Sequence, residues 1–316
     1  MSENTMGVGE SPRRQGQDVS EPPESRDPKR PEMKVLILGG GGTLGAFSAG
    51  ALLALEGLDW KPDVLIGSSA GGINLLRTTV GGAPAAADFW LSMRWPRLLG
   101  EALTDNPFNG GVLGEERFYQ RVEQGIDFEA MLRDERVLSF LVVDLENGQV
   151  SLRGNRSEPS AALLRGVSRG AYALPPLMPP IRVAGKLLGD GGLLHNAPLE
   201  MSLRLGATQI VYLCNVQATP YEGFGKTSTL PVTMRYADIF FRRASNVGFA
   251  DAQIVEGTYH GIPFLTIAPP AVGGIVALVK AMSPTRRQLE SLVRLGQEQA
   301  RIAIQKTPWL QDRRAT

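Results

Sequence analysis

Ser69 stands in the stretch DVLIGSSAGGIN (Asp63–Asn74), where Gly67, Ser69 and Gly71 form a G-x-S-x-G pattern. A serine hydroxyl is a weak nucleophile until the chain exposes it and sets a base beside it. The apolar run before the pattern reads as a strand, and the residues from Ala70 onward read as a helix. The sharp turn between them lifts Ser69 out of a sheet, and the small flanking residues relieve crowding around it. The start of the helix also turns free N–H groups and a positive dipole end toward developing negative charge. The plainer alternative is a glycine-rich turn with a helix-capping serine, a part open to Ser68.

Upstream, VLILGGGGTLGAF (Val35–Phe47) places four consecutive glycines at the end of another apolar run. Two chemistries use such a loop. Gly40, Gly42 and Gly45 satisfy G-x-G-x-x-G, the fingerprint that cradles a dinucleotide pyrophosphate. That use needs an acidic residue closing the second strand to hold the ribose. Asp59 falls before that strand and Asp63 opens it, while its end is the serine turn. The other chemistry points backbone N–H groups at an oxyanion formed during acyl transfer.

An acyl-transfer serine needs a base. The segment KLLGDGGLLHNAPLE (Lys186–Glu200) places Asp190 after a short strand and before Gly191 and Gly192. An aspartate on such a turn faces a cleft, or else it serves an Asp-Gly hairpin. The two histidines, His195 and His260, are the alternatives. Ser69, Asp190 and His260 occur in the chain order of an α/β-hydrolase triad, although the glycine loop lies closer to the serine than in that fold.

Three blocks taken together, GGGGTLGAF, GSSAG and DGGLLHNAPLE with its D-G-G and N-x-P, resemble the patatin-like phospholipase family. The likeness runs from about Lys34 to Pro269. It implies a three-layer α/β/α sandwich and a lipid acyl hydrolase with a Ser–Asp dyad and no catalytic histidine. By the resemblance, Ser69 is the nucleophile and Asp190 the base. The amides of Gly40, Gly41, Gly42 and Ala70 form the oxyanion hole, and Gly67, Gly71, Gly191 and Gly192 shape the turns. The reaction implied needs no cofactor and no metal. The family usually carries Arg or Lys just before the last glycine of its loop, where this chain has Leu44; the missing positive charge leaves a catalytically weak lipid-binding scaffold as the alternative.

The elements that must hold these residues follow the same pattern. KVLIL, DVLIG, VLSFLVVDL, QIVYLCNV and PFLTIA read as strands, with helices over Leu44–Leu58, from Ala70, and over Pro284–Lys306. Strands alternating with helices predict a mostly parallel sheet covered on both faces. The stretch Trp90–Glu116 reads as either a helix plus a loop or a cap near the site. Residues 1–32, rich in Ser, Pro, Glu, Arg and Gly, read as a disordered tail preceding one domain over 33–316.

The 316 residues include 33 Lys and Arg against 32 Asp and Glu, a formal net charge of +1. That balance argues against a nucleic-acid partner held by bulk electrostatics. Cys214, the single cysteine, sits in an apolar strand and reads as core. No apolar run is long enough to span a membrane, and the N-terminus lacks the apolar segment of a secretory signal. A cytoplasmic protein, or one peripheral to a membrane, is the expectation. A lipid substrate calls for apolar surface beside the site. Phe89–Leu99, Pro269–Met282 and the aromatic–basic run Arg235–Arg243 are candidates, each with a core-facing helix as its alternative.

Overall fold

The run KVLIL forms β1 (Lys34–Leu38), at the centre of the sheet in the computed structural model of this chain. The structure describes residues 31–93, 115–174, 178–216, 239, 254–255, 257–270 and 284–311. Most of the tail expected over residues 1–32 therefore lies outside the described residues. β2 (Val64–Gly67) and β7 (Gln209–Leu213) flank β1, β3 (Val137–Asp144) lies beyond β2, and β10 (Ile262–Ile267) lies beyond β7. All four pairings are parallel, so the centre of the sheet has the predicted direction.

The margins run the other way. β4 (Val150–Gly154) and β6 (Lys186–Asp190) pair antiparallel with β3, and β5 (Ile181–Val183) pairs antiparallel with β6. At the far side the hairpin of β8 (Ile254–Val255) and β9 (Thr258–Tyr259) extends β10. The direction of these strands was not visible in the alternating pattern, because tight turns reverse the chain where a helix would otherwise cross over. Ala184 (φ 48°) and Gly185 (φ 83°) make a two-residue turn with positive φ at both positions, the geometry that matches strand twist in a hairpin.

Alternation along the central strands feeds two cores. Leu36, Leu38, Leu65, Val211 and Leu213 face one side, while Val35, Ile37, Val64, Ile66, Ile210 and Tyr212 face the other. The first side is covered by α1 (Gly45–Glu56), α2 (Ala70–Ser92) and α7 (Arg286–Gln305). It also carries α3 (Glu115–Glu123), α4 (Phe128–Leu132) and α5 (Ala161–Gly170). The second side carries α6 (Leu199–Arg204), whose Leu199 packs under Ile37 and Ile66. A short α8 (Pro308–Gln311) ends the described chain. The sheet thus lies between helices, as the α/β/α expectation requires.

Buried almost all round, α1 is apolar on nearly every face, because the sheet, α2 and α7 enclose it. Its crossing with α7 is close: a Cβ on Gly50 would stand 1.9 Å from the Val293 carbonyl oxygen. The predicted C-terminal helix is present, and Thr285 starts it with a reciprocal capping box to Gln288. Cys214 is buried as expected. Of the stretch Trp90–Glu116, Trp90–Ser92 finish α2 and residues 94–114 lie outside the described residues.

Candidate active site

β3 explains how two residues so far apart in sequence meet. β2 runs parallel to β3 and ends with Gly67 opposite Phe140. β6 runs antiparallel to β3 and ends with Asp190 opposite Val142. β4 occupies the other edge of β3 along Ser139–Val143, so β2 and β6 share one edge and approach each other head-on. Their C-terminal ends stop about two residues apart along β3, roughly 7 Å at a strand's rise. Ser69 leaves the end of one strand and Asp190 forms the end of the other.

At Ser69 the backbone takes φ 50° and ψ −127°, outside the regions that side chains ordinarily allow. Two contacts hold it there. Its N–H donates to the Ala171 carbonyl at 2.7 Å, and α2 begins at the next residue. The turn has no room for larger neighbours. A Cβ on Gly71 would lie 1.8 Å from the Leu38 carbonyl oxygen, and one on Gly67 would lie 2.8 Å from the Gly71 carbonyl oxygen. Ser69 is 7% exposed. Ser68 does not cap the helix; its hydroxyl donates to Asn196 Oδ1 at 3.0 Å.

Asp190 is 2% exposed. Its N–H donates to the Ala173 carbonyl at 3.0 Å, so the short segment after α5 receives one N–H from each of the two residues. Carboxylate Oδ1 accepts the Gly192 N–H at 2.9 Å, which makes the D-G-G turn a cradle for the acid itself. Oδ2 is buried without a partner at hydrogen-bonding distance among the described residues. Burial pushes the carboxyl up to about 7, opposed by the neighbouring Ser69 hydroxyl and by the Gly192 amide. Gly191 sits tightly against β3, where a Cβ would fall 2.9 Å from the Leu141 carbonyl group.

The glycine loop lies against both residues. A Cβ on Gly40 would be 2.7 Å from the Ser69 Cβ, so nothing larger than glycine fits beside the serine. The Gly40 N–H, expected to face an oxyanion, instead donates to Asn196 Oδ1 at 2.5 Å. The amides of Gly41, Gly42 and Ala70 have no acceptor among the described residues. Gly41 (φ 156°) and Gly42 (φ 57°) make the bend, and Asn215 lies so close to Gly41 that a Cβ there would meet its Cβ at 2.6 Å. Leu44, half-buried, contributes through its backbone: its N–H donates to the Gly41 carbonyl at 3.2 Å.

The histidines are elsewhere. Gly67, Leu38, Leu213 and Ile267 are in register at the C-terminal ends of their strands. His260 precedes β10 at its opposite end, on the exposed β9–β10 turn, a strand's length from Ser69. His195 lies in the loop after Asp190, its N–H bonded to the Gly191 carbonyl at 2.9 Å. Neither bonds the Asp190 carboxylate among the described residues, and no group of three or more potential metal ligands occurs among them.

Sequence reading missed the roles of Asn196, Asn215 and the Ala171–Ala173 carbonyls. The N-x-P motif drew attention to Asn196 but not to its partners. Of the apolar stretches considered for lipid contact, Phe89 and Trp90 are core residues packed edge to face. Residues 94–99 and 271–282 lie outside the described residues, as does Arg235–Arg243 apart from the exposed Ile239. No described helix is long and apolar enough to cross a membrane.

The sequence model described as patatin-like phospholipase matches residues 36–203, more than half of the chain. A patatin-like phospholipase domain-containing protein of Caenorhabditis elegans, ZK370.4, is 29% identical over 194 residues, covering 57% of this chain and 13% of that protein. The chain therefore spans a small part of that relative's length. Among solved structures, VipD from Legionella pneumophila aligns over 88% of this chain and 67% of its own, at 15% identity and TM-score 0.43. The type III effector protein ExoU aligns over 88% and 54%, at 16% identity and TM-score 0.40.

Proposed function

This chain belongs to the patatin-like phospholipase family, and we propose that it is a serine lipid acyl hydrolase working through Ser69 and Asp190. The observation that carries the reading is the head-on meeting of β2 and β6 along β3. It supports a pairing of the Ser69 hydroxyl with the Asp190 carboxylate, whose Oδ2 is buried without a hydrogen-bond partner among the described residues.

In the proposed reaction the Ser69 hydroxyl attacks the carbonyl carbon of an acyl ester, and its proton passes to the Asp190 carboxylate. The carbonyl oxygen becomes an oxyanion that accepts hydrogen bonds from the amides of Gly41, Gly42 and Ala70. Gly40 positions the loop and is not a donor. Preorganised donors of this kind contribute ~3 kcal/mol each to barrier lowering where single ones have been removed. The intermediate collapses, the C–O bond to the alcohol breaks, and Asp190 returns the proton to the leaving oxygen. Water then gives a proton to Asp190 while its oxygen attacks the acyl-enzyme. Collapse of that second intermediate releases the fatty acid and reprotonates Ser69. The start of α2 adds its positive end to the same point.

Loss of the basic residue at Leu44 removes a charge but no backbone donor, so the hole keeps its amides. A hydrolysis assay over a panel of phospholipids, lysophospholipids and neutral glycerides, read by mass spectrometry, tests the proposal. Wild-type protein should release fatty acid from at least one lipid class. Ser69→Ala should abolish release and Asp190→Asn should lower it ~10³-fold or more, as losing a triad member does elsewhere. Release that survives Ser69→Ala contradicts the reading.

A further inference from the structure

One buried side chain ties together the three segments that make the site. Asn196 follows the D-G-G turn, is 1% exposed, and reaches across to the glycine loop and the serine turn. Its Oδ1 accepts from the Gly40 N–H at 2.5 Å and from the Ser68 hydroxyl at 3.0 Å, while its Nδ2 donates to the Gly40 carbonyl at 3.4 Å. Gly192 abuts it so closely that a Cβ there would lie 3.1 Å from that Oδ1.

The consequence follows from peptide planarity. In a trans peptide the carbonyl of one residue and the N–H of the next are fixed in one plane and point opposite ways. Holding the Gly40 carbonyl therefore aims the Gly41 N–H away from Asn196. The same device operates on either side. Asn215 Nδ2 donates to the Gly39 carbonyl at 2.7 Å, which aims the Gly40 N–H, and the Leu44 N–H on the Gly41 carbonyl aims the Gly42 N–H. Asn215 is itself held, its Oδ1 accepting from the Ser48 hydroxyl at 2.6 Å. Glycine is the residue with the most backbone freedom, so a loop of four has nothing of its own to keep its amides aimed.

We propose that Asn196 is a positioning residue that locks the glycine loop to the nucleophile turn, aiming the Gly41 amide at the substrate oxyanion. The inference rests on the reading of Ser69 and Asp190 given above. An amide is required for it: one atom must accept twice while the other donates, which neither Asp nor Ala can do.

The test compares Asn196→Ala, Asn196→Asp and Ser68→Ala on a water-soluble ester. Each is also tested with a trifluoromethyl ketone, which forms a tetrahedral adduct, and with its methyl ketone counterpart, which does not. Asn196→Ala should lower kcat ~100-fold with KM within about twofold, the pattern of a lost transition-state interaction. The trifluoromethyl ketone should weaken in proportion to kcat/KM while the methyl ketone keeps its affinity. Asn196→Asp, which still accepts but cannot donate to the Gly40 carbonyl, should fall in the same direction. Ser68→Ala, which leaves both Gly40 contacts, should cost less than about a tenth as much.

Unchanged kcat in folded Asn196→Ala overturns the proposal, as does equal weakening of both ketones. If both Asn196 variants fail to fold, Asn196 is a folding residue and the positioning role is overturned. Activity that survives Ser69→Ala would instead remove the underlying reading of the site, so the two failures are distinguishable.

Discussion

Burial raises the Asp190 carboxyl from an ordinary 3.8 to about 7, because taking its charged form out of water costs more than one amide and one hydroxyl return. Two expectations follow at this scale. A base acts only when unprotonated, so turnover should rise with pH through about 7 and fall tenfold per unit below it; kcat/KM against pH checks this. The second concerns stability. The folded protein holds a proton on Asp190 between about pH 4 and 7 that the unfolded chain releases, so stability falls as pH rises through that window. Above it the cost of keeping the carboxylate charged is complete. Asp190→Asn keeps an acceptor for Gly192 and removes the charge. It should be more stable than wild type by ~2–4 kcal/mol at pH 8, with the gap closing toward pH 4. Denaturant melts at the two pH values decide it.

Elements do the aiming, and their close approaches should separate activity from stability. A Cβ on Gly71 and a Cβ on Gly50 would each drive into a backbone carbonyl, of Leu38 at 1.8 Å and of Val293 at 1.9 Å. Neither carbonyl can rotate away as a flexible side chain would, so both Gly71→Ala and Gly50→Ala should destabilise by ~1–3 kcal/mol or more. Their effects on catalysis should differ. Gly71 packs the start of α2 onto the end of β1, so pushing them apart moves Ser69 and the Ala70 amide relative to the glycine loop. Gly50 sits where α1 crosses α7, away from the loop. Where the proteins remain folded, Gly71→Ala should lose kcat/KM by ~100-fold or more and Gly50→Ala should keep most of it. Steady-state kinetics beside thermal melts distinguish the two.

Over the whole molecule, the local chemistry was legible in sequence and the long-range geometry was not. G-x-S-x-G between an apolar run and a helix is a local signal, and so is D-G-G after KLLGD. Both fall where expected because the turn conformation is set by neighbours in the chain. The direction of β6 is not local. Nothing in KLLGD distinguishes parallel from antiparallel pairing, yet the antiparallel choice brings Asp190 back along β3 to Ser69. Asn196 shows the same limit more sharply: its partner Gly40 is 156 residues away, and an Asn in a loop looks the same whether it faces solvent or a buried amide. The Gly40 amide, assigned to the oxyanion hole by the resemblance, meets the same limit: a free glycine amide and one bonded to Asn196 read identically in sequence.

An active-site-directed fluorophosphonate, followed by intact-protein and peptide mass spectrometry, tests the pairing of Ser69 with Asp190. Wild-type protein at pH 8 should gain one adduct, mapped to Ser69 and absent from Ser69→Ala. The labelling rate should collapse in Asp190→Asn and remain nearly unchanged in His260→Ala. An adduct on another residue, or labelling of Asp190→Asn at the wild-type rate, would contradict the account.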